Sequence, residues 1–311
     1  MATTMRMMRF AALTLLLSTN AMAELPKVGS GRVERLEAFA SQFVAARNVD
    51  IWLPDGYPAQ APYAVLYMHD GQLLFDPAHT WNGLEWRADE VAGELIRSGK
   101  SRPFIIVGVW NAEPARHSEY FPQRAFELLD PTEQARMYTL KRGEQLLFAG
   151  PVDSDDYLKF LVTELKPHVD QHYAVAPGPG QTAIMGSSMG GLISMYALAQ
   201  YPQVFGAAAC LSTHWAGTVT ADDRPVQEAL LAWVEQFFPA PRGQRIYMDR
   251  GDQTLDAWYP ALQTRVDALL RGKGYDRSNW LSLAFAGAEH SEKSWAARLQ
   301  VPMQFLLPPQ P

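Results

Sequence analysis

Apolar runs and amphipathic segments alternate along most of the chain. Continuous apolar runs at 63–68 and 104–110 predict strands that are buried on both faces of a sheet. Shorter patterns predict further strands, at 47–54, 182–185, 207–212, 245–249 and 280–286. Segments with apolar residues at helical spacing separate them, at 86–98, 157–173, 192–200, 226–238, 258–270 and 291–299. This order predicts an α/β fold with a mostly parallel central sheet and helices on both faces.

Neither an internal repeat nor a linker divides the residues that follow the N-terminal segment. We therefore expect a single domain over 24–311. Within it, residues 112–152 are less regular and rich in Pro, Glu and Arg. Such a composition indicates a loop or a small cap above the sheet.

Residues 1–23 have the three parts of a secretory signal peptide. Arg6 and Arg9 give a basic start, residues 10–17 are apolar, and 21–23 form a small-x-small cleavage site. The apolar part is too short to anchor the chain in a membrane, and no cysteine follows the cleavage site. The sequence therefore predicts export to a bacterial periplasm or to the medium.

Composition fits an ordinary globular protein, because 48% of the 311 residues are hydrophobic and 19% are charged. The formal net charge is −6 and the basic residues are scattered, which argues against a nucleic-acid partner. The sole cysteine, Cys210, lies in the apolar run 207–211, so we expect a buried thiol rather than a nucleophile or a ligand. Nothing in the sequence indicates the oligomeric state.

The first candidate for chemistry is Gly186-x-Ser188-x-Gly190, which lies between a predicted strand and a predicted helix. This spacing is typical of a nucleophile elbow, where a serine at a cramped corner projects above the sheet edge. Glycines two residues to either side avoid a clash between strand and helix. Ser187 is the competing hydroxyl, but it is not centred between glycines, so we favour Ser188. The N–H of Met189, at the start of the helix, would stabilise an oxyanion.

A serine of this kind is followed along the chain by an acid and then by a histidine. His214 and His290 are the two histidines after Ser188. We favour His290 as the general base, because it follows the last predicted strand, at the carboxyl edge of the sheet where a base is needed. His214 also follows a strand, and we assign it to the wall of the pocket.

The acid that orients the histidine is expected in the loop after strand 245–249. Asp256 opens the next helix, Asp252 lies in the turn, and Asp249 ends the strand. We favour Asp256. Asp252 and Asp249 stay open as alternatives, since aspartate is also common in turns and helix caps.

The loop after strand 63–68 is expected to provide the second oxyanion donor, a backbone N–H of Gly71 or Gln72. His69, Asp70 and Asp76 in the same loop carry side chains that can bind metals. No matching cluster of His or Cys supports that interpretation. We therefore predict neither a metal nor a cofactor.

Residues 68–76, MHDGQLLFD, are similar to the HDGQNLFD segment of the "Putative esterase" family, which includes esterase D, enterochelin esterase and feruloyl esterase modules. The family's N…R..EY.P block resembles a second set, namely Asn111, Arg116, Glu119, Tyr120 and Pro122. The elbow and the ending Gly287-Ala288-Glu289-His290 are similar as well, and the likeness runs from about 49 to about 307. The resemblance implies an α/β-hydrolase fold and ester cleavage through Ser188, an acid and His290.

Candidates for contact with a substrate are Trp110, Arg116, His214 and Trp215. For Arg116 we favour a structural role, pairing with Glu119 to fix the loop above the site, over substrate binding. The nine tryptophans of the chain offer surfaces on which sugar or aromatic groups could stack.

Together these observations predict an exported serine carboxylesterase that acts on a small or sugar-linked ester. An acyltransferase that uses the same three residues stays open, because an acceptor alcohol cannot be read from a sequence. A third hypothesis is a non-catalytic protein that binds a carbohydrate or a siderophore on the same scaffold. The complete set of catalytic residues disfavours it.

Overall fold

The computed structural model describes residues 24–309, so the signal peptide at 1–23 lies outside the described residues and stays a prediction. Eight strands form the central sheet: β1 (Arg32–Phe39), β2 (Arg47–Leu53), β3 (Ala64–His69), β4 (Phe104–Val109), β7 (Thr182–Ser187), β8 (Ala207–Leu211), β9 (Arg245–Arg250) and β10 (Trp280–Ala284). Two short strands, β5 (Lys141–Arg142) and β6 (Gln145–Leu146), pair with each other outside it.

The strands of the central sheet follow the order β1-β2-β4-β3-β7-β8-β9-β10. β2 is antiparallel to β1 and to β4, and every pair from β4 to β10 is parallel. The predicted α/β fold with a mostly parallel sheet is confirmed. The sequence pattern does not predict β1, because this edge strand is largely exposed and lacks an apolar run.

The α-helices of the described residues are α1 (Ala88–Arg97), α2 (Arg116–Tyr120), α3 (Gln123–Glu127), α4 (Pro131–Met137), α5 (Ser154–Lys159), α6 (Lys166–His172), α7 (Met189–Gln200), α8 (Arg224–Phe237), α9 (Pro260–Gly272), α10 (Glu292–Arg298) and α11 (Gln300–Leu306). A π-helical stretch, Phe160–Leu165, joins α5 and α6 into one continuous helix. Short 3-10 helices are formed by Gly71–Leu73, Pro77–His79, Pro179–Gln181 and Thr254–Trp258.

Side chains of β3 alternate between two apolar layers, one on each face of the sheet. Val65 and Tyr67 pack into the layer that contains α5, α7, α8 and α9. Leu66 and Met68 pack into the other layer, with α1, α10 and α11. Because both faces of the strand are covered, all six of its residues are buried, and five of them are apolar or aromatic.

Residues 112–152 hold three short helices, α2 to α4, and the β5–β6 hairpin. None of these elements is long enough to show a clear hydrophobic period, which explains why the sequence indicated only a loop or cap. Arg116 and Arg142 of this segment line a cleft at the carboxyl edge of the sheet. Between residues 24 and 309, no helix has the length and apolar character needed to cross a membrane.

Candidate active site

Ser188 lies at the corner between β7 and α7. Its backbone has φ 59° and ψ −121°, a strained conformation for a residue with a side chain. Two hydrogen bonds hold the corner to the strand end next to it: the Ser188 N–H donates to Leu211 O at 2.9 Å, and the Ser188 carbonyl accepts from His214 N at 3.2 Å. The neighbouring strand thus maintains the conformation that presents the Ser188 side chain to the cleft.

Glycines on either side of Ser188 let the strand and helix approach. A Cβ on Gly186 would come within 2.9 Å of the Gly190 backbone. The competing hydroxyl, Ser187, belongs to β7 and is 4% exposed, whereas Ser188 is half-buried. The glycines of the Gly-x-Ser-x-Gly spacing are therefore required because a larger residue at Gly186 would clash with the start of α7.

His290 contacts Asp256 in the loops that follow β10 and β9. His290 Nδ1 and Asp256 Oδ1 are 2.6 Å apart. Asp256 is fully buried, and its other oxygen, Oδ2, accepts hydrogen bonds from Ser212 Oγ at 2.7 Å and from Gly251 N. Burial alone would raise the pKa of Asp256, but the contact with His290 and the bonds from Ser212 and Gly251 outweigh it and lower the pKa. The aspartate is thus a stable anion beside the imidazole.

The two alternative acids have other partners. Asp249 is buried and forms an ion pair with Arg298, with Nη2 of Arg298 2.9 Å from Oδ1. Asp252 is half-buried near the surface and accepts a hydrogen bond from Gly287 N at 2.9 Å. Of the three aspartates proposed from the sequence, Asp256 is the one that contacts His290.

A buried polar network, which the sequence did not reveal, contacts Asp256 on the side of the carboxylate opposite His290. Ser212 Oγ accepts hydrogen bonds from Trp295 Nε1 and from Arg298 Nη2, each at 3.0 Å. With its lone pairs occupied in this way, the hydroxyl directs its proton to Asp256. Arg298 is held in turn by Asp249. Since the members come from the loop after β8, from β9 and from α10, no local pattern could have linked them.

Ser188 and His290 line one open cleft of about 1420 Å³ at the carboxyl edge of the sheet. Between residues 24 and 309, no hydrogen bond joins their side chains. Catalytic hydrogen bonds are often absent before substrate binds, and a serine hydroxyl moves by rotation about one bond. The cleft therefore brings the two predicted groups to a common space without fixing their contact.

The loop after β3 borders the same cleft. Asp70 adopts a left-handed conformation, φ 59°, and opens the 3-10 helix Gly71–Leu73. Arg116 donates two hydrogen bonds of 2.7 Å to the Asp70 carboxylate, and Asn111 Nδ2 donates a third at 2.8 Å. Gly71 packs so closely on the backbone of Gly108 that a Cβ would overlap it. These contacts fix the course of the loop.

The predicted pairing of Arg116 with Glu119 is wrong. Glu119 instead receives two hydrogen bonds from Arg47 of β2, at 2.6 and 2.7 Å. Arg116 instead pairs with Asp70. Burial alone would raise the pKa of Asp70, but the charge and hydrogen bonds of Arg116 outweigh burial and lower that pKa. Arg116 therefore fixes the loop above the site, as expected, through a different partner.

The backbone donors proposed for an oxyanion lie at the starts of helices that border the cleft. Met189 is the first residue of α7, and Gly71 and Gln72 begin the 3-10 helix. The first N–H groups of a helix have no acceptor within that helix. Gln72 also lines the cleft, and its side-chain oxygen accepts a hydrogen bond from Asn111 N at 3.2 Å.

Three of the four residues proposed for substrate contact line the cleft: Trp110, Arg116 and His214. The fourth, Trp215, is misplaced by the sequence analysis. Its indole is 1% exposed, lies in the core and donates to Gln263 at 2.9 Å. The turn after β8 directs His214 to the cleft and the next side chain away from it.

His214 offers little free hydrogen-bonding capacity to a ligand. Its Nδ1 is 2.7 Å from Tyr259 Oη and its Nε2 is 2.9 Å from the Thr218 carbonyl oxygen. Burial, followed by the nearby His290, lowers the pKa of His214 to about 3, so the ring is neutral. It forms a rigid part of the wall.

The side chains weighed as metal ligands in the loop after β3 have separate partners. His69 Nδ1 is 2.8 Å from Tyr157 Oη, and Asp70 binds Arg116. Asp76 caps the 3-10 helix Pro77–His79 by accepting from Ala78 N. The three do not converge on one point.

Further residues line the cleft to which the sequence analysis assigned no individual role. Among them are three aromatic residues and one basic residue, Trp81, Trp258, Trp295 and Arg142. Trp81 is 82% exposed, which is unusual for such a large apolar side chain. Exposure cannot be read from the identity of a tryptophan, so no sequence signal separated these residues from those of the core.

Comparison with known proteins gives a family and a fold. The model of a family described as "Putative esterase" matches residues 41–304, a range that contains every residue of the cleft discussed above. "Uncharacterized protein YbbA" of Bacillus subtilis (strain 168) is 24% identical over 172 residues, which is 54% of this chain. The chain spans 58% of the length of that curated relative.

Two solved structures have a similar fold. An IroE-like serine hydrolase from Shewanella oneidensis has a TM-score of 0.65 at 18% identity, covering 88% of this chain and 79% of its own. A ferulic acid esterase has a TM-score of 0.61, also at 18% identity, covering 89% of this chain and 98% of its own. At these identities the two likenesses concern the fold alone.

Proposed function

This chain belongs to the Putative esterase family, and from that premise and the geometry of the cleft we propose that it is a serine carboxylesterase. The observation that carries the proposal is the 2.6 Å contact between His290 and the buried Asp256, beside the strained elbow at Ser188. Nucleophile, orienting acid and base (Ser188, Asp256 and His290) follow each other in the chain order that this architecture requires.

In the proposed reaction, His290 Nε2 removes the proton from Ser188 Oγ as that oxygen attacks the ester carbonyl carbon. The new C–O bond places an electron pair on the carbonyl oxygen. Collapse of this intermediate breaks the bond to the alcohol, which takes the proton from His290 and leaves an acyl-serine. Water, activated in the same way, then releases the acid and restores Ser188.

The surrounding groups stabilise charge at each stage. Asp256 holds His290 in the tautomer with Nε2 free and stabilises the imidazolium that forms. The N–H of Met189 and one from Gly71 or Gln72 would bind the oxyanion, supported by the N-terminus of α7. Because Asn111 and Arg116 hold Asp70, the donor from this loop would be in position before substrate arrives.

For the substrate we propose a small or sugar-linked ester that carries an aromatic group. The cleft is open and is bordered by aromatic side chains, among them Trp81, Trp110 and Trp258. Flat apolar rings are suited to stacking against phenolic acids and sugars. The likeness to a solved ferulic acid esterase agrees with this choice. With the predicted signal peptide, the reaction would take place outside the cytoplasm.

The test is hydrolysis of p-nitrophenyl acetate, p-nitrophenyl esters of longer chains and feruloylated sugars by the wild type, Ser188→Ala and Ser187→Ala. We expect wild-type turnover, loss of activity by at least about 10³-fold in Ser188→Ala, and near wild-type rates in Ser187→Ala. Equal activity in wild type and Ser188→Ala would refute the proposal. Product analysis with added alcohols would show whether the acyl group goes to water or to an acceptor.

A further inference from the structure

Three acidic side chains that do not line the cleft come together at the start of α1. They are Glu85, Asp89 and Glu90, and one carboxylate oxygen from each lies within 4.8 Å of the others. Glu85 precedes the helix, whereas Asp89 and Glu90 belong to its first turn. The family motifs do not include these residues, and the proposed reaction does not use them.

Asp89 gives a second and independent observation. It is fully buried, and its Oδ2 accepts hydrogen bonds from Gly29 N at 2.7 Å and Ser30 N at 3.3 Å. Its other oxygen, Oδ1, is buried and receives no hydrogen bond from an N–H or hydroxyl donor in the described part of the chain. Burial, then the contact with the neighbouring Glu90 carboxyl, raises the pKa of Asp89. A buried carboxylate oxygen without a partner is costly, so it calls for a ligand.

The neighbouring acids repeat this pattern. One oxygen of Glu85 and one of Glu90 are also buried without a hydrogen-bond partner among residues 24–309. Arg87 lies 3.4 Å from the other Glu90 oxygen, but its side chain is 62% exposed. Burial, then the charges of Glu90 and Asp76, raises the pKa of Glu85 to about 7. The cluster is therefore short of positive charge.

We propose that Glu85, Asp89 and Glu90 bind a divalent cation, and that the cation is Ca²⁺. Carboxylate oxygens are its preferred ligands, at about 2.4 Å. Two oxygens bound to one ion at that distance are at most about 4.8 Å apart, and the three carboxylate oxygens lie within 4.8 Å of one another. Ca²⁺ suits the site better than Mg²⁺, because it accepts bidentate carboxylates and irregular geometry. Water would complete the coordination.

The site has an entry path and a clear structural consequence. Glu85 and Glu90 are half-buried, so an ion can reach them from solvent. Asp89 ties the cluster to the N-terminal segment through Gly29 and Ser30. Glu85 ends the segment 77–85, which carries Trp81 to the rim of the cleft. A bound cation would therefore fasten both the N-terminal segment and the rim to α1.

The experiment uses the purified chain, treated with a chelator and then dialysed free of it. Titration calorimetry with CaCl₂ measures binding, and thermal unfolding with and without CaCl₂ measures its effect on Tm. The variants are Glu85→Gln and Glu90→Gln, which keep side-chain shape. Glu94→Gln is the matched control, since Glu94 lies on the same helix, is exposed and is outside the cluster.

We expect saturable binding of about one Ca²⁺ per chain and a rise in Tm of roughly 5 °C at a concentration about 100 times Kd. Glu94→Gln should retain both, and each cluster variant should lose at least about tenfold in affinity. Mg²⁺ should bind more weakly. The proposal is overturned if the wild type shows neither binding heat nor a Tm shift, or if the cluster variants bind Ca²⁺ as the wild type does. A rise in Tm of metal-free Glu85→Gln without any wild-type response to Ca²⁺ would instead identify a proton shared between carboxyl groups, and would also overturn it.

Discussion

Ser212 Oγ donates to Asp256 Oδ2 at 2.7 Å, on the opposite side of the carboxylate from His290. Ser212 is fully buried and does not line the cleft, so it acts through Asp256 and not on substrate. In the proposed reaction it is therefore a positioning residue for the imidazole. Its own hydroxyl is oriented by Trp295 and Arg298.

Removing this hydroxyl should slow the reaction without weakening substrate binding. A hydrogen bond to a charged group contributes about 1.5–3 kcal/mol, so Ser212→Ala should lower kcat by roughly 10- to 100-fold at nearly constant KM. Loss of the bond also raises the pKa of Asp256, which should move the acidic limb of the kcat/KM profile to higher pH. Ser194→Ala, a buried hydroxyl that bonds to Gly190 O, is the matched control. An unchanged kcat in Ser212→Ala would contradict this role.

The close packing of Gly71 on Gly108 predicts a specific loss of activity. A Cβ at Gly71 would overlap the Gly108 backbone, so Gly71→Ala must displace the loop that bears the proposed oxyanion donors. Loss of one such donor typically lowers kcat by about 10²- to 10³-fold, and we expect a decrease of that size in Gly71→Ala. Gly150→Ala is the control, because a Cβ there meets open space. Steady-state kinetics measures kcat in both variants. A wild-type kcat in Gly71→Ala would contradict the proposal that this loop provides an oxyanion donor.

The Asp249–Arg298 pair predicts a large effect on stability. Both side chains are buried, at 0% and 4% exposure. Arg298→Met leaves the buried Asp249 without its cation, which should lower the free energy of unfolding by about 3–5 kcal/mol. The double variant with Asp249→Asn should lose less than the sum of the single variants. Urea unfolding measures this.

The exposed pair Glu228–Arg265 is the comparison for that experiment. Its side chains are 59% and 51% exposed, and the bridging atoms are 2.6 Å apart. Solvent screening reduces such a pair to about 1 kcal/mol or less. If Arg265→Met destabilised the protein as much as Arg298→Met, burial would not be the cause.

Buried His214 predicts how stability depends on pH. Burial, then the charge of His290, lowers its folded-state pKa to about 3, whereas an unfolded histidine has a pKa of about 6.5. Between these values the unfolded chain binds a proton that the folded chain rejects, so stability falls as pH falls. From pH 7 to pH 5 the loss should be roughly 2 kcal/mol for this residue.

His214→Gln should remove that part of the pH dependence, whatever its effect on stability at pH 7. Urea unfolding at both pH values measures the difference. An identical change between pH 7 and pH 5 in wild type and His214→Gln would show that this histidine does not titrate as argued.

Much of the fold was predictable because it depends on local patterns. The continuous apolar runs of β3 and β4 reflect burial on both faces, which is a property of each strand by itself. The ends of parallel strands meet at one edge, so Ser188, Asp256 and His290 could be assigned to a common site from their positions after strands. The roles assigned to these three residues stay part of the proposal.

What the sequence did not reveal depends on contacts between distant segments. Arg298 reaches Asp249 and Ser212 across 49 and 86 residues of chain, and no pattern links such positions. The expected pair joined Arg116 to a residue close to it in sequence, Glu119. In the structure a distant acid and a distant base give each of them a two-point contact. Trp215 was misassigned because a side chain's direction in a turn depends on the backbone path.

The most direct test of the central claim is labelling with a fluorophosphonate, a reagent that phosphonylates activated serines, followed by peptide mapping. The hydroxyl of Ser188 should react once per folded chain. Ser188→Ala should not react, and His290→Ala should react far more slowly because it lacks the base. Absence of an adduct on folded, wild-type protein, or an adduct on Ser187 in place of Ser188, would contradict the account.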